Sequence, residues 1–153
     1  MLVADYIAGK IFIGLFMAAC AICDYKTKRV DIRILGVAAC MEAFAYVWMI
    51  FEGVEIDFMC MGIGFAVGVF VLIVAGITKG QIGAGDAIFF MLTGIAMGGY
   101  RNILLLCAGM LMSVIYGLTF HIICFIKGRN TKGYEFALLP ILAPLGLVIL
   151  IWA

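Results

Sequence analysis

Apolar segments, most of them near the length that a bilayer requires, follow one another along this chain. A transmembrane helix needs about 20 apolar residues. Hydrophobic residues make up 67% of the 153 residues and charged residues only 12%, whereas soluble domains have roughly 45–50% and about 25%. The outer surface of such a protein is covered mainly by lipid. We therefore predict an all-α polytopic membrane protein.

The apolar segments predict six transmembrane helices, and the chain is short enough for residues 1–153 to form a single integral membrane domain. The fourth segment is short and closes at Gly98-Gly99, which is typical of a broken span whose backbone lines a polar cavity. The predicted segments are residues 2–23, 34–51, 58–77, 86–97, 103–126 and 136–153.

Basic residues between the segments predict the orientation of the helices. The loops after segments one, three and five hold eight of them, and only Lys10 and Arg101 lie on the other side. Cytoplasmic loops carry the excess of Lys and Arg, so we expect both termini outside and a multi-pass protein of the inner (cytoplasmic) membrane. The eight residues are Lys26, Lys28, Arg29, Arg33, Lys79, Lys127, Arg129 and Lys132.

Two aspartates lie at the ends of apolar segments that this topology brings to the cytoplasmic boundary. Asp24 follows the first segment, and Asp86 follows Gly83-Ala84-Gly85 at the start of the fourth. Ionisable groups in such places are rare unless they face a cavity or a partner. Although 62 positions separate them (86 − 24), we predict that Asp24 and Asp86 form one active site.

Two carboxyl groups that share one proton supply both roles that peptide hydrolysis needs without metal or covalent intermediate. One activates water and the other polarises the peptide carbonyl, because like charge and partial burial separate their titrations. The peptide must also be extended, and the small residues Gly83, Ala84 and Gly85 would let its backbone approach closely.

Simpler interpretations of these residues remain open. Asp24 would cap a helix or reach the interface, and Asp86 would be the N-cap of segment four. A small transporter or channel that binds cations or protons through intramembrane acids is the alternative function. Glu42 lies inside segment two and has either a structural or a functional role, whereas His121 is expected to be a packed or hydrogen-bonded core residue.

We expect no metal or other cofactor. The six cysteines lie within or beside apolar segments, where small polarizable side chains pack well. The pair Cys20-x-x-Cys23 has no second ligand pair at the spacing of a zinc site.

The arrangement of these residues resembles the prepilin peptidases, which are Gly-x-Gly-Asp intramembrane aspartic proteases. The resemblance rests on Asp24 with the basic loop after it, on Gly-Ala-Gly-Asp at residues 83–86, and on the last segment with Pro140 and Pro144. The small size is similar to that of the peptidase-only forms in tight-adherence (Flp-type) pilus systems.

This resemblance implies that Asp24 and Asp86 are the catalytic pair. It implies a substrate that is the short basic leader of a type IV pilin-like precursor, cut after a glycine at the cytoplasmic membrane face. The expected partners are this precursor and the lipid bilayer. We expect no nucleic acid, and the oligomeric state stays open. Larger relatives methylate the new N terminus and carry a cysteine-rich insert, which this chain lacks, so methylation is not expected.

The chain departs from the family pattern at three places. Val30-Asp31-Ile32 stands where many members have Ile-Pro-Asn, and Ile88 stands where many have a lysine. The proline that often opens the last motif is replaced near Ala137.

Overall fold

The computed structural model describes residues 1–27, 32–78, 83–126 and 138–152. In these ranges nearly every residue is helical, so the predicted all-α class is confirmed. A 3-10 turn at Val3–Asp5 precedes the helices α1 (Ile7–Thr27), α2 (Ile32–Phe51), α3 (Phe58–Ile77), α4 (Ala84–Met97), α5 (Gly99–Ile126) and α6 (Leu139–Trp152).

Each predicted segment corresponds to one helix in the predicted order, and α3 has the predicted bounds. The predicted end of the first segment at residue 23 is wrong, because α1 continues to Thr27. The Thr27 hydroxyl donates to the Cys23 carbonyl at 2.8 Å. The helix therefore extends past the apolar run, and Asp24 lies within it rather than after it.

Four of these helices, α1, α2, α3 and α5, are long and apolar enough to cross a membrane. The helices α4 and α6 are apolar but have only 14 residues each. At 1.5 Å per residue each is about 21 Å long, which is less than a hydrocarbon core of about 30 Å. The described helices thus indicate a multi-pass membrane protein with two short members in the bundle.

Helices α3 and α4 are packed most closely, through Gly64 and Gly94. A Cβ atom added to either glycine would overlap the carbonyl oxygen of the other. Small residues allow this approach, which strengthens van der Waals packing in lipid. Asn102 of α5 joins the same contact, because its amide donates to the carbonyls of Gly64 at 3.0 Å and Phe90 at 2.9 Å.

Helix α6 lies against α1 and α5. Gly146 faces the side chains of Met17 and Leu105, and Leu142 packs over Gly109. Since Asp24 near the end of α1 contacts Leu139 at the start of α6, the two helices run antiparallel. This pairing brings the first turn of α6 to the end of α1.

A stack of Phe16 on Phe89 joins α1 to α4, with ring centroids 5.6 Å apart. The other side of α4 is held by α2, where the Tyr46 hydroxyl donates to the Ile95 carbonyl at 2.6 Å. The short helix α4 thus lies among α1, α2, α3 and α5, and its buried residues include Phe89 and Phe90.

The opposite end of the bundle is closed by the N-terminal residues. The Met1 ammonium donates to the Glu55 carbonyl at 2.6 Å, and Asp5 accepts the Leu2 N–H at 2.8 Å and an ion pair from Arg101 at 3.0 Å. These contacts tie the 3-10 turn to the loop before α3 and to the first turn of α5. The ends of the helices near Asp24 carry no such closure in the described residues.

Candidate active site

Asp24 lies near the C-terminal end of α1, and its side chain is only 6% exposed. Its Oδ2 accepts the backbone N–H of Leu139 at 3.0 Å, and the N–H of Leu138 faces the same carboxylate. Asp24 thus caps a helix, as one of the simpler interpretations held, but this helix is not its own. Asp24 instead caps the N terminus of α6, which lies 115 positions further along the chain.

The local sequence explains why α6 needs this acceptor. The first N–H groups of a helix have no partner inside it, and Leu138, which precedes α6, has no side-chain oxygen to accept one. Its carbonyl accepts the N–H groups of Ile141 at 3.1 Å and Leu142 at 3.3 Å. Pro140 has no N–H, so the donor left to be satisfied in the first turn is that of Leu139.

Asp86 is the third residue of α4, after Gly83 at the N-cap position. Its N–H donates to the Gly83 carbonyl at 3.0 Å, and its carboxyl group lies by the Gly83 N–H. Asp86 is thus not the N-cap itself, as one interpretation held. Its carboxyl group folds back over the start of α4, where the first turn of a helix favours negative charge.

The two carboxyl groups lie at the same end of the bundle, within Coulombic range of each other. Asp24 comes eight residues after Phe16, and Asp86 comes three before Phe89. The ring stack and the carboxyl pair therefore require that α1 and α4 run antiparallel. Since side chains tilt toward the N terminus of their helix, Asp24 leans into the bundle and Asp86 leans toward its end.

Among the described residues, buried side chains enclose one side of the pair and exposed residues adjoin the other. Cys20 on α1 and Ala87 on α4 are fully buried beside it. Gly83 and Ala84 are exposed, and Gly85 and Asp86 are partly exposed. An extended peptide would therefore reach the carboxyl groups along the first turn of α4, with no bulky side chain at residues 83–85.

Glu42 is another buried carboxyl group, which lies in the middle of α2 and is 3% exposed. Its Oε2 has no hydrogen-bond partner among the described residues. One turn further along α2, Tyr46 contacts α4. The structure thus places Glu42 at the inner side of α2, whereas His121, expected in the core, is exposed on α5.

The backbone of residues 138–139 belongs to the site, although no motif in the sequence predicts its contact with Asp24. Pro140 does indicate that a helix begins near these residues, because proline is favoured in the first turn of a helix. Among the described residues, no three His, Cys, Asp or Glu side chains come together as metal ligands would.

Two of the departures from the family pattern, Val30-Asp31 and Ala137, lie outside the described residues. Ile88 is half-buried on α4 and packs against the core. An isoleucine at this position thus supports the packing of the helix that carries Asp86.

The type IV leader peptidase family model matches residues 11–118. This range is more than half of the chain and includes both aspartates and residues 83–85 at the start of α4. The protein belongs to the type IV leader peptidase family, and it is therefore a peptidase. Helix α6 lies outside the matched range. No curated protein and no solved structure matches the chain.

Proposed function

We propose that this protein is an aspartic endopeptidase that removes the leader of a type IV pilin-like precursor, with Asp24 and Asp86 as its catalytic pair. The observation that supports this most is that the two carboxyl groups lie within Coulombic range of each other. They come from helices far apart in sequence and lie at the same end of an apolar bundle. The membership in the leader peptidase family supplies the substrate class.

In the proposed reaction the pair begins with one proton between its two carboxyl groups. The carboxylate takes a proton from a water molecule, whose oxygen attacks the scissile carbonyl carbon while the other carboxyl group donates its proton to the carbonyl oxygen. The tetrahedral diol then loses a proton to the second carboxylate as the C–N bond breaks, and the first carboxyl group protonates the leaving amine. The pair returns to its starting protonation without a cofactor.

We further propose that residues 1–153 form one domain with six spans, both termini outside, and that the end with the aspartates faces the cytoplasm. The basic residues of the connecting loops support this orientation, and Lys26 and Arg33 lie at that end. If α4 and α6 reach the opposite interface, their first turns lie about 9 Å below the cytoplasmic surface. That depth suits a scissile bond just before the hydrophobic helix of a precursor.

The test is cleavage of a precursor in membranes that contain the protein. The probe is a short leader with Lys residues and a final Gly, fused to an apolar helix of about 20 residues, and gel mobility separates precursor from product. We expect the wild type to cut after the glycine and to leave the new N terminus unmethylated by mass spectrometry. Asp24→Asn and Asp86→Asn should each abolish cleavage while keeping the shape of the side chain.

Asp57→Asn is the matched control, because Asp57 is the N-cap of α3 at the other end of the bundle. Asparagine caps a helix about as well as aspartate, so cleavage should persist. Normal processing by either Asp24→Asn or Asp86→Asn would refute the aspartic mechanism. Ion-dependent uptake into vesicles, without cleavage of any precursor, would support a transporter instead.

A further inference from the structure

We propose that the N terminus of α6 is a positioning element that holds Asp24 as the ionised member of the pair, so that Asp24 activates the water and Asp86 supplies the proton. This inference rests on the proposed function of the two aspartates. It assigns different roles to two aspartates whose roles the sequence alone does not distinguish. It also assigns a function to α6, which lies outside the range matched by the family model.

The contact of Asp24 with α6 is directional. The Leu139 N–H donates to Oδ2 at 3.0 Å, and the Leu138 N–H faces the same group. A carboxylate that accepts backbone N–H groups forms charge-assisted hydrogen bonds. The positive end of the α6 dipole adds to this effect. Oδ2 is occupied by the helix, so Oδ1 is the atom of Asp24 available for a water molecule.

Asp86 has a different environment. The N–H group beside its carboxyl is that of Gly83, the N-cap residue of its own helix. Its side chain is more exposed than that of Asp24, and it adjoins exposed Gly83 and Ala84, where a peptide would lie. Two carboxyl groups within Coulombic range of each other do not ionise independently. Once α6 stabilises charge on Asp24, the shared proton belongs to Asp86, next to the peptide.

Within the described residues, the ionisable groups near Asp24 include Tyr25 and Lys26, which follow it on α1. Cys20 and Cys23 precede it on α1, and Asp86 faces it from α4. Helix α2, which also packs on α1, carries Arg33 and Glu42. Residues 138–152 contain no ionisable side chain, so α6 acts on Asp24 through its backbone alone.

A backbone donor is removed by Leu139→Pro. Leu139 is the first residue of α6, where proline is favoured because its missing N–H belongs to no helical bond. Leu139→Ala is the matched control, because it removes the buried leucine side chain and keeps the N–H. The comparison of the two variants therefore isolates the hydrogen bond to Asp24.

The experiment measures the initial rate of probe cleavage against pH for wild type, Leu139→Ala and Leu139→Pro in the same membranes. Loss of the N–H removes a stabiliser of the ionised base, so the acidic limb of the Leu139→Pro profile should move to higher pH. Relative to Leu139→Ala, the acidic limb of Leu139→Pro should shift by about one pH unit. One pKa unit corresponds to roughly the free energy of a hydrogen bond to a charged group. The basic limb should stay in place.

A second variant covers the case in which Leu139→Pro does not fold. Replacing Leu139 by its α-hydroxy acid changes the N–H to an ester oxygen and keeps the leucine side chain. The same shift of the acidic limb, relative to wild type, is expected. A shift of the basic limb alone would reverse the two roles, and unchanged limbs in the ester variant would show that α6 does not act on Asp24.

Failure of the inference is distinguishable from failure of the proposed function. If the wild type cuts the probe and the profiles of the ester variant and the wild type coincide, the peptidase stands and the role of α6 is refuted. If the wild type leaves the probe uncut, or if Asp24→Asn retains cleavage, the proposed function fails and the inference with it.

Discussion

Gly64 of α3 and Gly94 of α4 meet backbone to backbone, and each glycine occupies the space that a Cβ on the other would need. This crossing fixes the short helix α4 against α3, the helix with which it packs most extensively. Asn102 spans the same contact from α5. The position of Asp86, eight residues before Gly94, thus depends on a packing contact more than two turns away.

Gly94→Ala should lower the free energy of unfolding by about 1–3 kcal/mol, as overpacking does in cores. The added Cβ would meet backbone atoms of Gly64, which cannot rotate away, so the helices must separate. The measurement is thermal unfolding in detergent. Gly62→Ala is the control on α3, because nothing lies within 4 Å of a Cβ there, and it should leave the midpoint unchanged or raise it.

The existence and order of the helices could be predicted because each apolar run long enough to enter a membrane becomes one helix. α3 shows this best, since hydropathy gives both of its ends. The end of α1 was missed because the helix continues through polar Asp24 and Thr27. Hydrogen bonding determines the C-terminal end of α1, and a hydropathy pattern does not detect it.

The contacts between the helices could not be predicted in the same way. In a membrane protein the buried and the lipid-facing sides of a helix are both apolar, so the sequence lacks the periodicity that marks a core face in water. From the sequence, only the predicted orientation of the helices placed Asp24 and Asp86 at the same membrane boundary. The hydrogen bond from Leu139 to Asp24 joins residues 115 positions apart, and no pattern of hydrophobicity specifies it.

Replacing Glu42 by leucine should stabilise the protein. Glu42 is buried, and its Oε2 has no partner among the described residues. An unsatisfied buried polar group costs about 1–3 kcal/mol, and leucine has a similar volume without polar atoms. The unfolding midpoint of Glu42→Leu in detergent should therefore rise above that of the wild type.

Glu42→Gln separates this packing effect from a functional role of the carboxyl group. Glutamine keeps the size and an amide oxygen but cannot carry a proton to a partner. Cleavage of the probe should persist in both variants. Loss of cleavage in both, with a raised midpoint in Glu42→Leu, would mean that the carboxyl group takes part in the reaction.

Acid should weaken the contacts at the N-terminal end of the bundle. Burial raises the pKa of Asp5. The hydrogen bond from Leu2 and the ion pair with Arg101 together lower it by more than burial raises it, so the pKa lies below its usual value of 3.8. A lowered pKa means that Asp5 stabilises the fold fully above pH 3.8. This contribution is lost as the pH falls through the lower pKa of the folded protein.

The free energy of unfolding of the wild type should therefore fall between pH 7 and pH 2 by more than that of Asp5→Asn. The difference should be about 1 kcal/mol or less, because the ion pair is partly exposed. Arg101→Gln removes one cause of the lowered pKa and should show an intermediate dependence. Parallel curves for wild type and Asp5→Asn would contradict the role of Asp5.

Gly83→Ala tests the open side of the candidate active site. The added Cβ would lie 3.3 Å from Oδ2 of Asp86, so the carboxyl group must move by a few tenths of an ångström. The backbone at Gly83 has φ −67° and ψ 133°, which alanine adopts without strain. Displacement of a catalytic group by 1 Å can cost about a hundredfold in rate, so this smaller shift should slow cleavage by about tenfold.

The midpoint of unfolding of Gly83→Ala should change little, because residue 83 is exposed. Gly76→Ala is the control, since a Cβ there contacts nothing within 4 Å and the residue lies in the last turn of α3. Its cleavage rate should equal that of the wild type. If Gly83→Ala also cleaves at the wild-type rate, the position of the Asp86 carboxyl group beside Gly83 does not limit the reaction.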